Sequence, residues 1–476
     1  MKQRLLGAAT LLMQGVLAVV AALVCTAAQA QPPVLAPGSA PDLTRWLADP
    51  GRCRDNLSDD VNQPLPLAAA LRAVVCHNTR LRQGAGGVVQ ARAALESAQT
   101  RWQPSLTLRS SVDGARGQTA QGRATADLEW VLFDFGANAS ALRESRLALQ
   151  ATLDEQGSDV LAAVAQAAQL YAATQAAVWR FEAANTNVRM ALESQRMAKA
   201  RLGAGAASQL EKLQAETALA QTRLDYARAL NTWLSSRGEL ALAMGWPATR
   251  PLVLANAEGP AEAGDEAPLD LDALLAEAGA NHPRVAASRA RQAEAQARTA
   301  GIESQRWGSV TMGARAGQAR AARGVGVGSS GASSETSVSL GWSVPLLDRG
   351  VLRSQIQDAQ GRLLTRAAEL EAAERFTALQ VWQEAQALLG GRSALRASRS
   401  LLESAEATLR ASTERFRLGV GNFTDLLQAQ TATAGARLQW AESRANLTRA
   451  HWRVAAAAGR FGALQSAVEA GSDLPR

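Results

Sequence analysis

The sequence repeats one pattern twice, with a period of roughly 210 residues. In each copy a tryptophan closes an alternating stretch and precedes an aspartate, a glycine and a long alanine-rich segment, at 130–136 and at 342–350. Both copies later reach the same Arg-Leu-Gly-x-Gly break, at 201–205 and at 417–421. Solenoid units span only about 20–50 residues, so this period indicates a duplicated half-protein and not a repeat array.

The first thirty residues predict export from the cytoplasm. Residues 1–30 combine a basic start, an apolar run at 16–24 and Ala28-Gln29-Ala30, the layout of a signal peptide. After its removal Cys53 and Cys76 remain, and an oxidising compartment favours a disulfide between them over two buried thiols. No later run of about 18 apolar residues occurs, so we expect no membrane-spanning helix in the mature chain.

Charge and motif content argue against nucleic-acid binding and catalysis. The formal net charge is +7, and almost all of the positive charges are arginines. These arginines alternate with acidic residues along helical segments, as on a solvated surface. A G-x-G-x-x-G pattern at 326–331 lies in a Gly/Ser-rich loop between two strands, the wrong context for a dinucleotide site. The three histidines lack metal-ligand spacing. We therefore expect no enzyme activity, cofactor, metal site or nucleic-acid partner.

The apolar periodicity divides the mature chain into two similar halves. An irregular, proline-rich lead-in at 31–66 precedes a first repeat at 67–246, and a linker at 247–270 precedes a second repeat at 271–460 and a tail at 461–476. Each repeat is predicted to form a helix, two strands and a long helical hairpin. The strands are expected at 105–113, 123–133, 308–317 and 335–345, and the hairpins at 138–245 and 351–459.

The predicted strands have the alternation of a transmembrane β-barrel. Each is about ten residues long, with one apolar and one polar face, as where lipid meets one side and water the other. Four strands cannot close a barrel, the smallest having about eight, and open edges are not tolerated in lipid, so the chain must oligomerise. Four tryptophans at the strand ends predict an interfacial belt in the outer membrane lipid, with packing at strand–helix junctions as the alternative. They are Trp102, Trp130, Trp307 and Trp342.

The segment 415–430 reads RFRLGVGNFTDLLQAQ and resembles the R-[YF]-x-x-G-x-x-x-x-x-D-[LV]-L-x-A signature of the TolC-like outer-membrane efflux and type I secretion channels. This resemblance, which covers about 67–459, implies a mainly α-helical protein with a transmembrane β-barrel. In that family a homotrimer forms a twelve-stranded barrel in the outer membrane and a helical tunnel in the periplasm. Each protomer contributes four strands and long, coiled-coil-like helices.

The resemblance also implies partners and a cargo. These are a periplasmic adaptor (a membrane fusion protein), an inner-membrane ABC transporter and a secreted polypeptide that crosses the channel unfolded. Within the family the sequence is most similar to components that export an adenylate cyclase-haemolysin (cyclolysin), an RTX toxin. The outer membrane component of a tripartite drug efflux pump is the alternative. Two other classes of protein are disfavoured. A periplasmic adaptor would need β domains and an inner-membrane anchor, neither of which is visible in the sequence. A diffusion porin would need many more strands per chain.

The resemblance further places a gate at the periplasmic tip of the tunnel. The tip turns would contain Gly203, Gly205, Gly419 and Gly421, and the gate would comprise Asp425, Phe416, Gln428 and Gln209. Three copies of Asp425 would form an anionic constriction, although a charge favoured by the helix N-terminus is the alternative. Phe416 stands where relatives often have tyrosine, and Gln428 where some have an acid. Gln209 is expected opposite Asp425, so that only the second half has an acidic turn. The gating helix pair is therefore expected in the second half.

Overall fold

A computed structural model describes residues 64–113, 121–255, 269–321, 332–346 and 349–460 of the chain. The predicted signal peptide, nearly all of the predicted lead-in with Cys53, most of the predicted linker, the glycine pattern at 326–331 and the predicted tail lie outside the described residues. The chain divides into two compact units. The described parts of Ala91–Leu149 and Ala293–Thr365 form the sheet unit. The described parts of Pro41–Gln90, Gln150–Gln292 and Arg366–Arg476 form the helical unit.

The order of elements repeats between the halves. The first half contains α1 (Leu67–His77), α2 (Thr79–Thr100), β1 (Ser105–Asp113), β2 (Gln121–Phe133), α3 (Ala137–Gly203) and α4 (Gln209–Ala243). The second half contains α5 (Leu271–Asn281), α6 (Pro283–Ser304), β3 (Ser309–Ala321), β4 (Ala332–Ser343), α7 (Arg349–Arg417) and α8 (Phe423–Ala457), with a 3-10 turn at Gln305–Trp307. Corresponding helices have 11, 22, 67 or 69, and 35 residues, so the duplication extends to the lengths of the elements.

Length sets α3 and α7 apart from ordinary globular helices. At about 1.5 Å per residue each extends roughly 100 Å. Among the described residues, none of the helices combines the length and the apolarity that crossing a membrane would require.

The sheet unit contains one four-stranded antiparallel sheet in the order β1-β2-β3-β4. Cross-strand pairs such as Leu108↔Ala126 and Ala314↔Val338 lie on its apolar face, because residues two apart share a face. On the polar face Arg109 and Arg315 both donate to Asp127. On this face, no described part of the chain covers the apolar side chains of the outer strands, which are 67–79% exposed: Leu106, Leu108, Val112, Val338 and Leu340.

The helical unit buries two equivalent apolar cores. In the first, Leu71 of α1 packs with Val160 of α3 and Leu240 of α4. In the second, Leu274 of α5 packs with Val381 of α7 and Leu447 of α8. Each short helix thus packs against the long hairpin of its own half, and the many small alanines on these faces let the helices approach closely.

A glycine follows each hairpin and packs against a histidine from the short helix region of the same half. Gly245 and Gly459 follow α4 and α8 with φ of 79° and 73°, a left-handed conformation that favours glycine. His77 and His282 pack against them, and a Cβ added to Gly245 would lie 2.6 Å from the His77 ring. Burial lowers the pKa of His282 to about 4, so its imidazole is neutral near pH 7. The described residues contain no His/Cys/Asp/Glu group suited to a metal ion.

Candidate gate at the helical tips

Two turns of matching geometry join α3 to α4 and α7 to α8. In the first, the N–H of Ala206 donates to Arg201 O (2.8 Å) and that of Gly205 to Leu202 O (3.0 Å). This is the Schellman pattern, in which a left-handed residue ends the helix. Gly205 supplies that conformation with a φ of 71°.

The second turn has the same hydrogen bonds. The N–H of Val420 donates to Arg415 O (3.0 Å) and that of Gly419 to Phe416 O (3.1 Å), and Gly419 has a φ of 78°. Gly421 is required for a different reason, because an added Cβ would lie 2.8 Å from the backbone N of Phe416. The four expected tip glycines thus have different roles, and Gly203, which ends α3, faces open space.

The next helices begin with matching side-chain caps. Ser208 accepts a hydrogen bond from the Glu211 N–H, and Asn422 accepts one from the Thr424 N–H. Such caps satisfy amide groups that a helix leaves free at its start. The caps and the left-handed glycines therefore both align Gly205 with Gly419. This alignment of the two halves differs by two residues from the one that matches the Arg-Leu-Gly triplets.

This alignment corrects the expectation of which residue in the first half corresponds to Asp425. Its counterpart in the first half is Glu211 and not Gln209, since both acids lie in the first turn of their helices, three residues after the cap. The expectation that only the second half has an acidic turn is therefore wrong. Ser208-x-x-Glu211 is also the spacing of a capping box, which is the sequence signal that could have identified Glu211.

A small apolar cluster brings the two turns together. This tip cluster draws on all four long helices and comprises Ala198, Ala215, Phe416, Phe423 and Leu426. Phe416 is only 5% exposed, and its ring centroid lies 5.6 Å from that of Phe423. The guanidinium of Arg201 lies 4.7 Å from the Phe416 centroid and donates to Ala206 O (3.1 Å). Phe416 therefore packs between the halves and does not face solvent.

The polar candidates lie outside this cluster. Asp425 and Gln428 are exposed and lie on one face of α8, three residues apart, and Gln209 is exposed at the start of α4. Glu211 is half-buried, and its Oε2 makes no hydrogen bond in the described part of the chain. Above the tip, Gln430 Nε2 donates to Ser194 Oγ (2.9 Å), a contact between α8 and α3 that sequence reasoning missed.

The four tryptophans lie at one end of the sheet as two matching pairs. Trp130 Nε1 donates to Trp102 O (3.0 Å), and Trp342 Nε1 donates to Trp307 O (3.4 Å). In each pair, the hydrogen bond joins a residue before one strand to the end of the next strand. In both halves it therefore links the two strands at this end of the sheet. The remaining predicted site is the disulfide: Cys76 on α1 is disulfide-bonded, and its expected partner Cys53 lies outside the described residues.

A comparison with known families decides the identity of the chain. Residues 70–246 and 274–460 match the family described as outer membrane efflux protein. The chain belongs to this family. It is 28% identical over 442 residues to Protein CyaE of Bordetella pertussis (strain Tohama I), which covers 91% of this chain and 90% of that protein.

Solved structures of outer-membrane channels share the fold. The channel OprN superposes with a TM-score of 0.71 at 20% identity, covering 83% of this chain and 89% of that one. VceC of Vibrio cholerae gives 0.68 at 16% identity, covering 83% and 96%. The open state of MtrE of Neisseria gonorrhoeae gives 0.69 at 17% identity, covering 83% and 88%.

Together these findings establish the class of protein. The chain is an outer membrane efflux channel of the TolC type, with a helical tunnel that extends into the periplasm. The predicted family, fold class and location are confirmed.

Proposed function

We propose that this efflux family member is the outer-membrane conduit of a type I secretion system and carries an unfolded RTX-type polypeptide, as cyclolysin-exporting channels do. The observation that carries the proposal is the similarity to CyaE, which extends over nine-tenths of both chains. The resemblance to components of cyclolysin export supports it. Energy would come from an inner-membrane ABC transporter coupled through a periplasmic adaptor.

The conduit would be a homotrimer. β1 and β4 each pair with one neighbour among the described strands, and open edges are not tolerated in lipid. Three protomers with four strands each would join β4 of one copy to β1 of the next in a twelve-stranded barrel. The exposed apolar face of the sheet would then meet lipid and the Asp127 face would meet the lumen, with the four tryptophans as an interfacial belt.

Deletion of the gene tests the cargo class. We expect RTX-type polypeptides to disappear from the culture medium and to remain in the cells, and a wild-type copy to restore export. An ABC ATPase should co-purify with the cross-linked channel. Normal export accompanied by greater sensitivity to small toxic compounds, with a proton-driven transporter in the purified complex, would instead assign the chain to a drug efflux pump.

The tip turns would act as the gate of the conduit. Asp425 and Glu211 each place a carboxylate in the first turn of a helix that begins at the tip. In a trimer these would form two anionic rings near the axis, where they would attract cations. Gln428 and Gln209 would contribute neutral polar groups to the same constriction, so the charge of the gate would come from both halves of the chain.

Neutralising the two carboxylates tests this gate. We expect Asp425→Asn to weaken block by divalent cations in planar bilayers by about tenfold, equivalent to about 1.4 kcal/mol, and Glu211→Gln to weaken it further. Glu371→Gln, which neutralises an exposed acid far along α7, is the matched control and should leave block unchanged. Unaltered block in the Asp425→Asn, Glu211→Gln double variant would remove the gate assignment.

A further inference from the structure

Within the helical unit the four long helices contact one another in the order α4, α3, α8, α7. In the first hairpin, Phe181 of α3 stacks on Trp233 of α4 with ring centroids 5.0 Å apart. In the second, Thr433 Oγ1 of α8 donates to the backbone of α7 (3.1 Å). The hydrogen bond from Gln430 to Ser194 joins the hairpins through α8 and α3. Of the four helices, α4 and α7 are therefore the outer two.

The contact between α3 and α8 has a defined antiparallel register. Ser194 lies opposite Gln430, and their residue numbers sum to 624. Farther from the tip Arg180 pairs with Glu442, and these numbers sum to 622. Facing residues of α3 and α8 thus have numbers that sum to about the same value along the contact.

The internal repeat transfers this register to the outer helices. The left-handed glycines Gly205 and Gly419 are 214 residues apart, and so are the caps Ser208 and Asn422. By this shift α3 corresponds to α7, and α8 corresponds to α4. A shift of 214 forward on one helix and back on the other leaves the sum unchanged. If α7 used the face that α3 uses, it would meet an α4 helix with numbers that sum to about 624.

One face of α4 is exposed and uncharged where the corresponding face of α8 is covered. Its residues recur every seven positions, as on the contact face of a coiled-coil helix, and all four are exposed: Leu213, Ala220, Ala227 and Leu234. Their counterparts on α8 are buried or half-buried: Leu427, Ala434, Ala441 and Thr448. Leu427 packs with Met197 of α3 against the tip cluster, whereas Leu213 is 50% exposed.

The facing positions on α7 differ from α3 in the same way. At a sum of 624 they are all exposed and uncharged: Gly390, Ala397, Ser404 and Ala411. Their counterparts on α3 are buried or half-buried: Ala176, Ala183, Met190 and Met197. At both ends of the two faces a small residue lies opposite a leucine, since Gly390 faces Leu234 and Ala411 faces Leu213. Such pairs allow two helices to approach closely.

Charges beside the two faces are complementary in this register. Glu216 and Arg223 on α4 are seven residues apart, as are Glu403 and Arg410 on α7. Arg223 would lie near Glu403 and Glu216 near Arg410, because the numbers of both pairs sum to 626. A shift of seven residues in either direction would bring two like charges together. Opposite charges beside an apolar face select the register in which helices pair.

We infer that this face of α4 packs against the face of α7 on a neighbouring copy, with Leu213 opposite Ala411 of the partner subunit and Leu234 opposite Gly390 of the partner subunit. The inference rests on the proposed homotrimer and names the helix faces and the register by which its subunits join. Because two different surfaces of the chain meet, the contact is head-to-tail and repeats around a ring. Between Leu213 and Leu234 it extends about 30 Å, at roughly 1.5 Å per residue.

Site-directed disulfides test the register in the full-length protein in outer membranes. After mild oxidation, Ala220→Cys, Ser404→Cys and Ala227→Cys, Ala397→Cys should each convert most of the monomer band to covalent dimers and trimers on heated, non-reducing gels. The variant Ala227→Cys, Ser404→Cys is the matched control. Its two cysteines lie on the same faces but one heptad out of register, too far apart for a disulfide, and should give no ladder.

Further controls separate contacts within one chain from contacts between copies. Met190→Cys, Ala434→Cys places the cysteines at the corresponding positions of α3 and α8 and should link only within one chain, which leaves the band at the monomer mass. Each single-cysteine variant controls for exchange with the native cysteines. The mass of every variant in detergent is measured independently of the gels.

The outcomes distinguish this inference from the proposed trimer. A trimer by mass that gives no ladder with either in-register variant, or an equal ladder with the shifted variant, would overturn the inference and leave the proposed function standing. A wild-type protein that is monomeric by mass would overturn both.

A second measurement needs no cysteine. Arg223→Glu and Glu403→Arg should each lower the temperature at which the trimer dissociates, because each places two like charges side by side. The double variant exchanges the charges and should restore the wild-type temperature. A double variant whose loss is the sum of the two single losses would contradict the proposed register.

Discussion

Replacing Gly308 by alanine is expected to abolish assembly of the channel in the outer membrane. Gly308 enters β3 with a φ of 74° and a ψ of −152°, a conformation essentially restricted to glycine. An added Cβ would lie 1.8 Å from Ser343 O and 2.8 Å from Ser343 C. Both are backbone atoms, and the pairing of Ser309 with Ser343 holds them in place. The backbone strain alone costs about 1–3 kcal/mol, and the clash adds to it.

Loss of the first pair between β3 and β4 would disturb the closed sheet end where the tryptophans meet. The measurement is the amount of trimer in outer membrane fractions on unheated gels. Gly341→Ala is the matched control in the same sheet, since a Cβ there meets Thr311 Oγ1 at an ordinary 3.7 Å. Wild-type levels of Gly308→Ala trimer would show that this end of the sheet rearranges freely, contrary to the expected result.

Gly308 illustrates what the sequence could not reveal. The alternation of apolar and polar residues predicted all four strands, because each strand must separate an apolar face from a polar one. The helical periodicity of apolar residues predicted the long helices. The positive φ before β3 arises from the close approach of the β4 backbone, which no local pattern encodes. In the first half the corresponding position is Gln103, followed by Pro104, so the repeat offered no guide either.

The tip shows a second limit of sequence reasoning. Matching the Arg-Leu-Gly triplets aligned Gly203 with Gly419, but the end of a helix is fixed by the residue that adopts the left-handed conformation, which is Gly205. The two-residue error hid the equivalence of Glu211 and Asp425. It also left the role of Phe416 to family resemblance, whereas its burial against Phe423 depends on contacts between four helices that are distant in sequence.

Truncating Phe416 is expected to loosen the tip and enlarge the leak through the channel. Removing a buried phenylalanine side chain costs about 3–5 kcal/mol, and here the loss includes its contacts with Phe423 and with the Arg201 guanidinium. Because the tip cluster joins the turns of both halves, this cost falls on the arrangement that holds them together. If only half of it bears on that arrangement, the population of loosened tips rises more than tenfold, since 1.4 kcal/mol corresponds to a factor of ten.

Single-channel recordings in planar bilayers measure this effect, and Phe416→Ala should show a larger mean conductance or longer open periods than the wild type. Leu418→Ala is the matched control, since this side chain lies in the same turn but is 75% exposed and removes no contact from the cluster. Phe416→Leu, which keeps most of the apolar volume, should fall between the two. Conductance in Phe416→Ala equal to that of Leu418→Ala, in trimers of normal abundance, would mean that contacts other than this cluster restrict the tip. The next groups to test would then be Asp425 and Glu211, in the proposed anionic rings.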